Sequence, residues 1–293
     1  MMNKFIKRLL LFSAILFCYL GINYIVNTLI FSQTAIPIKD SRILILGDSH
    51  TRRAIKPQLF ESAVNISQQS EPYIISYWKL KHIVKYKKID TILLSFSAHN
   101  ISAFNDRKFE DEKWSSEMFE RTYLINEFDD VGDMVIDTEE FYKTYFFKML
   151  LYPNLNHFTF IGEYTNSNKS DYTDSEKVIG RHFYKDSLQL DVSKTAILFL
   201  NKIITLCKEH DIVPILISTP VHKDYFSKIP SNILEEYTKL EKGFLQQNIK
   251  VVNYSEHYYS NEFYYNSDHL NHKGATKFTN NLITLFKTTN FEN

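Results

Sequence analysis

The chain has 293 residues, 44% of them hydrophobic and 23% charged, enough for one substantial core with appendages and too apolar for extensive disorder. Thirty-four Lys and Arg balance 34 Asp and Glu, and no long basic run occurs, which argues against a dedicated nucleic-acid binder. The two cysteines, Cys18 and Cys207, provide neither a disulfide framework nor a zinc ribbon. The N-terminus comes first in chain order and is the most distinctive segment. Lys4, Lys7 and Arg8 precede a run without charge from Leu9 to Phe31, as long as the roughly 20 apolar residues that cross a bilayer. Bulky Ile15, Leu16 and Phe17 before Cys18 do not form a lipoprotein cleavage site, and "FSQTA" after the run is a poor signal-peptidase site. The segment is therefore read as an uncleaved signal anchor, with residues 1–8 cytoplasmic and the chain beyond Phe31 outside. A cleaved signal would export the same domain.

Residues 39–293 are expected to form the globular domain, after an anchor and stalk over 1–38. "RILILGD" (42–48) reads as a buried strand ended by glycine, followed by helices over about 52–62 and 73–87. "DTILLSFS" (90–97), "IVPILIST" (212–219) and "IKVVNYS" (249–255) read as further strands. Helices are expected over 194–210, where Cys207 shares an apolar face with Leu200 and Ile203, over 231–247 and over 272–286. The alternation predicts an α/β, flavodoxin-like three-layer sandwich around a central parallel sheet. Between about 104 and 185 the pattern breaks into a helical stretch (139–152) and a polar loop (165–177), read as an insertion.

Candidate chemistry collects just past the strand ends, where open sheets of this kind bind ligands. Ser49 follows the first strand and its glycine. It becomes a nucleophile only if a base takes its proton and a further group orients that base. Gly-Asp-Ser is equally good turn and cap chemistry on its own. His269, between the last strand and the last helix, can return over the first strand as that base. Asn100 follows the second predicted strand, where its amide can donate to an oxyanion. His50 beside Ser49, and His222 and Tyr225 in "STPVHKDY", are candidate substrate contacts. Each also has an ordinary structural reading, as a helix-start or loop residue. His257, His269, His272 and Asp268 lack the supporting pattern of a zinc site, so neither metal nor cofactor is expected.

The blocks "ILGDSHT", "AHN" (98–100) and "HLNHKGA", in this order, resemble those of the SGNH (GDSL-like) hydrolase superfamily. The similarity spans about 42–104 and 190–288 and is nearest to membrane-anchored members linked to polysaccharide O-acylation. It implies a serine-dependent esterase or O-acyltransferase acting on acyl, chiefly acetyl, esters of a cell-surface glycan. Ser49 would be nucleophile and His269 base, with oxyanion donors from Ser49 N–H, a backbone N–H near Ser67 and Asn100. The partners implied are an acylated glycan, the membrane and a membrane-embedded acyl-transfer protein. Two departures qualify it. The second-block glycine is absent, leaving Ser67 in "VNISQQS" as the nearest donor, and the acid expected three residues before His269 is Asn266. Asp268 is adjacent to His269, and adjacent side chains in an extended segment point apart. Whether Asn266 or Asp268 supports the ring stays open at this level. A weakly active or inactive glycan-binding or scaffolding module of the envelope is the alternative.

Overall fold

The structure, a computed structural model, describes residues 2–127, 129 and 137–288. Residues 128 and 130–136 of the expected insertion and 289–293 of the expected domain lie outside the described residues. The chain divides into two compact units, Met1–Pro37 with Phe109–Thr159, and Ile38–Lys108 with Phe160–Asn293. The second unit thus takes in 160–185, which the sequence pattern assigns to the insertion, and the intervening segment groups with the N-terminal helix instead.

The second unit is built on five parallel strands, β1 (Ile43–Leu46), β2 (Ala63–Asn65), β3 (Thr91–Ser95), β4 (Val213–Ser218) and β5 (Lys250–Asn253). Their order is β2-β1-β3-β4-β5. This is the flavodoxin-like arrangement, in which the winding reverses between β1 and β3 and leaves a crevice at their carboxyl ends. The strands read as continuous apolar runs because both faces are covered. Period-two alternation sends Ile45, Leu93, Ile215 and Ile217 to one face, where they pack with Phe278, Leu282 and Phe286 of α9 (His272–Thr288). Leu44, Leu46, Ile92, Leu94 and Leu216 alternate with them and are fully buried. Each such side chain contributes about 1.5–3 kcal/mol. On the other layer α3 (Tyr73–Ile83) meets α7 (Lys194–Glu209), Tyr77 and Phe199 crossing edge to face at 5.6 Å. Phe244 of α8 (Ser231–Gln246) packs edge to face on Phe96.

Two local expectations change. The predicted helix over 52–62 is the six-residue α2 (Ser49–Ala54) and a short 3-10 turn at Pro57–Leu59, after which Ala63–Asn65 joins the sheet. The Pro at 57 lacks the N–H that would continue α2 and favours extended backbone before it. Within 165–177 the loop ends at Tyr172–Asp174, and α6 (Ser175–Phe183) follows. In the first unit the described helices are α1 (Met2–Gln33), α4 (Glu112–Thr122) and α5 (Thr138–Tyr145), the last continuing as a π-helical turn at Phe146–Leu151. The residues Asn3–Gln33 form a helix long and apolar enough to cross a membrane.

Candidate active site

Gly47 ends β1 in a conformation (φ +123°) that side-chain-bearing residues rarely adopt, and a Cβ there would lie 2.4 Å from Ser95 Cβ. The turn it permits brings Asp48 to the N-cap of α2 and Ser49 to its first position. A first-turn N–H has no carbonyl four residues back within its helix, so the Ser49 N–H is left for other acceptors. Asp48 is the hub of this edge. Its Oδ1 accepts from His50 N (2.9 Å) and Ser95 Oγ (3.0 Å), and its Oδ2 lies 2.5 Å from His99 Nε2 and 2.9 Å from Asn100 Nδ2. Burial, the largest influence, opposes ionisation of Asp48. The His99 and His50 rings and the hydrogen bonds outweigh it and hold the carboxyl well below the usual range.

Ser49 Oγ is 2.7 Å from His269 Nε2, across 220 residues of sequence. His269 Nδ1 faces two oxygens at 2.9 Å, Asn266 Oδ1 and Asp268 Oδ1. The N–H is directed at Asn266, which also accepts from His269 N. Asp268 makes no aligned hydrogen bond and acts through its charge. This partner set fixes the tautomer, with Nδ1 protonated and Nε2 free to accept from Ser49. Of the two candidates left open by the sequence, the structure brings both to the ring. Tyr264 and Leu270 form an isolated bridge, and the intervening residues turn tightly, with Tyr265 N bonding His269 O. In a turn, neighbouring side chains no longer alternate. Asn266 thus meets the ring N–H along its direction, and Asp268 places a carboxylate beside it.

Four imidazoles adjoin one another behind Ser49, His50–His99 and His99–His182 stacked and His269 tilted against His50. Ring centroids are 4.7 Å apart for His269–His50, 4.2 Å for His50–His99 and 4.9 Å for His99–His182. Burial lowers His99 to about 4, His182 well below its ordinary value, and His269 below it despite the pull of Asp268. Burial depresses His50 too, but Asp48 and Asp268 overcome it and raise the ring above its ordinary value. His50 Nδ1 lies 3.2 Å from Thr219 Oγ1, and its Nε2 lies 3.5 Å from Asp268 Oδ2. Burial also disfavours the Asp268 carboxylate, yet His269 and His50 hold its carboxyl well below the usual range.

The remaining predicted residues sit as follows. The Ser67 N–H donates to Asn65 Oδ1 (3.0 Å), so as an oxyanion donor it is already engaged. The Asn100 amide nitrogen donates to Asp48 Oδ2 (2.9 Å) and lies 3.3 Å from His99 Nε2. His50 and Tyr225 are buried, and with His99 and Thr219 they line an enclosed cavity of about 20 Å³, room for a single water. Tyr225 Oη bonds His182 Nδ1 (2.9 Å). His222 is buried as well, bonded to Asn261 Oδ1 (3.1 Å) and stacked on Tyr172. These three were expected as substrate contacts; here their polar atoms serve the interior.

A glycine from elsewhere in the chain packs on the Ser67 loop. Gly162 lies so close to that loop that a Cβ on it would stand 2.1 Å from Ser67 O, and its N–H bonds Ile66 O (3.1 Å). A buried Glu71–Lys79 pair (2.5 Å) braces the same loop, Lys79 also reaching Ile66 O and Glu71 the Gln68 N–H. Asp174 was missed altogether. Its carboxylate accepts from Ser267 N (2.9 Å) and Asn266 Nδ2 (3.4 Å), tying the histidine turn down from 92 residues away. Nothing local to "YTDSEK" marks that role.

Two buried groups, Asp48/His50/His99 and His50/Asp268/His269, present potential metal-ligating atoms within 4.8 Å of one another. The 2.5 Å and 2.9 Å carboxylate–imidazole distances in them are those of charge-assisted contacts. Two ligands of one tetrahedral zinc stand about 3.3 Å apart. Of the residues weighed as zinc ligands, His272 Nε2 lies 3.2 Å from Lys56 Nζ and His257 packs on Tyr254.

Fold and site together define an α/β protein with a serine–histidine pair at the reversal point of its sheet. No protein-family model matches the chain, and no curated protein does either. Three distantly similar solved structures are a Bacteroides fragilis protein provisionally described as an acylhydrolase, a Streptococcus pneumonia protein provisionally described as a platelet activating factor, and a GDSL-like lipase from Bacteroides thetaiotaomicron. Their identities are 10%, 11% and 11%, and their TM-scores 0.43, 0.42 and 0.40. The matches cover 90%, 95% and 90% of this chain and 94%, 98% and 96% of theirs. At these values the similarities say nothing of substrate.

Proposed function

We propose that the protein is a membrane-anchored, extracytoplasmic SGNH-like serine esterase or O-acyltransferase acting on acetyl esters of a cell-surface glycan. The observation that carries the proposal is the 2.7 Å contact between Ser49 Oγ and His269 Nε2, with Asn266 and Asp268 on the far side of the ring. In this mechanism Ser49 Oγ bonds to the acyl carbon while its proton passes to Nε2. The oxyanion is received by the Ser49 N–H and an N–H of the Asn100 amide, which turns from its 3.3 Å contact with His99 Nε2 to do so. Asp268 stabilises the imidazolium as it forms, and Asn266 keeps the ring aligned. Nε2 then protonates the departing sugar oxygen, leaving acyl-Ser49. Water as second acceptor yields hydrolysis; a sugar hydroxyl yields transfer.

The glycan and the external location come from the resemblance and from the positive residues before α1. The direct test is acetate release by the full-length protein in detergent, from p-nitrophenyl acetate and from an O-acetylated polysaccharide. Release from both, abolished by Ser49→Ala, is expected. A second reading, a glycan-binding or scaffolding module, draws on the Ser67 N–H being spent on Asn65. Glycan binding that survives Ser49→Ala, without turnover of either ester, would favour it.

A further inference from the structure

The uncharged stretch of α1 carries two asparagines, Asn23 and Asn27, and both are buried. Asn27 Nδ2 contacts the carbonyls of Met149 (3.0 Å) and Tyr152 (3.0 Å), and Asn23 Nδ2 those of Leu150 (3.1 Å) and Leu151 (3.2 Å). Tyr19 Oη donates to Leu151 O, and Asn27 Oδ1 accepts from Asn154 N (2.7 Å). These carbonyls belong to the π-helical turn Phe146–Leu151 and the residue after it, where a helix end leaves acceptors without partners of its own.

The depth of these contacts follows from helix geometry. Counting from Leu9, the first residue after Arg8, a rise of 1.5 Å per residue puts Asn23 about 21 Å and Asn27 about 27 Å along α1. A hydrocarbon core is about 30 Å thick, so both amides, and the carbonyls they hold, fall within its far half. Backbone at that depth is tolerated only if its polar groups are satisfied by protein, and here the asparagines satisfy them. The outward residues of this segment are four aromatics, Tyr142, Phe146, Phe147 and Tyr152, together with Lys143. Its cations are tied to acids, Lys148 to Glu120 (2.6 Å) and Lys143 to Glu140 (3.1 Å).

We propose that the segment 142–152 is a second membrane-embedded element, which dips into the outer leaflet beside α1 and presents Phe146 and Phe147 to lipid acyl chains. The proposal rests on reading α1 as a membrane anchor. A chain held in the bilayer at two places cannot swing freely on a single-helix tether. This would suit a substrate delivered at the membrane surface.

The test is spin-label accessibility of the full-length protein in lipid nanodiscs, in a Cys18→Ser background. Cys207 does not compete, because it is buried and burial pushes its thiol up to about 12. Labels are placed singly by Leu16→Cys on α1, Phe147→Cys on the segment and Leu188→Cys on the exposed hairpin of the other unit. Labels at 16 and 147 should collide several-fold more with oxygen than with the nickel chelate NiEDDA, and the label at 188 the reverse. A nickel-accessible 147 with an oxygen-accessible 16 overturns the proposal while sparing the anchor. A nickel-accessible 16 overturns both. A label at 147 shielded from both reagents means that protein, not lipid, covers the face, and also overturns it.

Discussion

Asp268 carries more of the proposed chemistry than its place in the sequence suggests. It lies 2.9 Å from His269 Nδ1 and 3.5 Å from His50 Nε2, and is fully buried. Its charge raises the affinity of His269 for a proton, so Asp268→Asn should lower that affinity further. The acid limb of the kcat/KM profile should then move to lower pH, while kcat at neutral pH falls on the order of 10²–10⁴-fold, the scale set by loss of a triad carboxylate. Asn266→Asp should not raise activity. It would add a carboxylate beside Asp268 and Asp174, and like charges at close range resist joint ionisation. Pre-steady-state and steady-state rates from pH 4 to 9 decide both points. A gain in Asn266→Asp would mean that Asp268 does not serve the ring. The sequence identifies Ser49 and His269 because their motifs follow strand ends. It leaves Asp268 ambiguous because the tight turn at 265–269 is set by the Tyr264–Leu270 bridge, which no local pattern announces.

At the scale of elements, the histidine turn is held by a segment from outside the regular strand–helix alternation. Asp174 accepts from Ser267 N and Asn266 Nδ2, Asp171 N bonds Tyr265 O, and His272 N bonds Ser167 O. Asp174→Ala should therefore cost about 1.5–3 kcal/mol of stability, the usual worth of hydrogen bonds to a charged group. It should also lower kcat more than it raises KM, because it disorders the base without touching substrate. Denaturant unfolding together with steady-state kinetics tests this, and unchanged kcat with lost stability would confine Asp174 to a structural role. The strands 43–46, 91–95, 213–218 and 250–253 are legible as apolar runs, and helices 194–209, 231–246 and 272–288 as periodic ones. β2 is not, because Ala63–Asn65 is three residues long and only partly apolar, and its identity comes from pairing with β1. Gly162 and Asp174 are equally silent, since each acts on a partner about a hundred residues distant.

At the scale of the whole molecule, the buried histidines link folding to pH. His99, His182 and His269 stay neutral in the native state below the pH at which the unfolded chain protonates them. Their folded affinities are depressed, so the unfolded state binds the extra protons as pH falls below about 6.5, and stability drops. The slope is about 1.4 kcal/mol per pH unit for each such group, and for His99 it continues down to about 4. His50 works in the opposite sense: its raised affinity adds stability below its unfolded value, which is lost as pH rises through the folded one. Asp48 and Asp268 add stability above the ordinary carboxylate range that is lost on acidification. Thermal unfolding should show a Tm that falls from pH 7 to pH 5, before the carboxylates titrate, and a shallower fall in His99→Gln. A flat Tm over that interval would contradict the depressed proton affinities of His99, His182 and His269.

The central claim is that Ser49 is a nucleophile activated by His269. The most direct measurement is labelling of the full-length protein with a fluorophosphonate probe, with the modified residue located by mass spectrometry. The account predicts one adduct, on Ser49, absent in Ser49→Ala and strongly slowed in His269→Ala. Equal labelling of the wild type and Ser49→Ala, or none of either under conditions that preserve the fold, would contradict it.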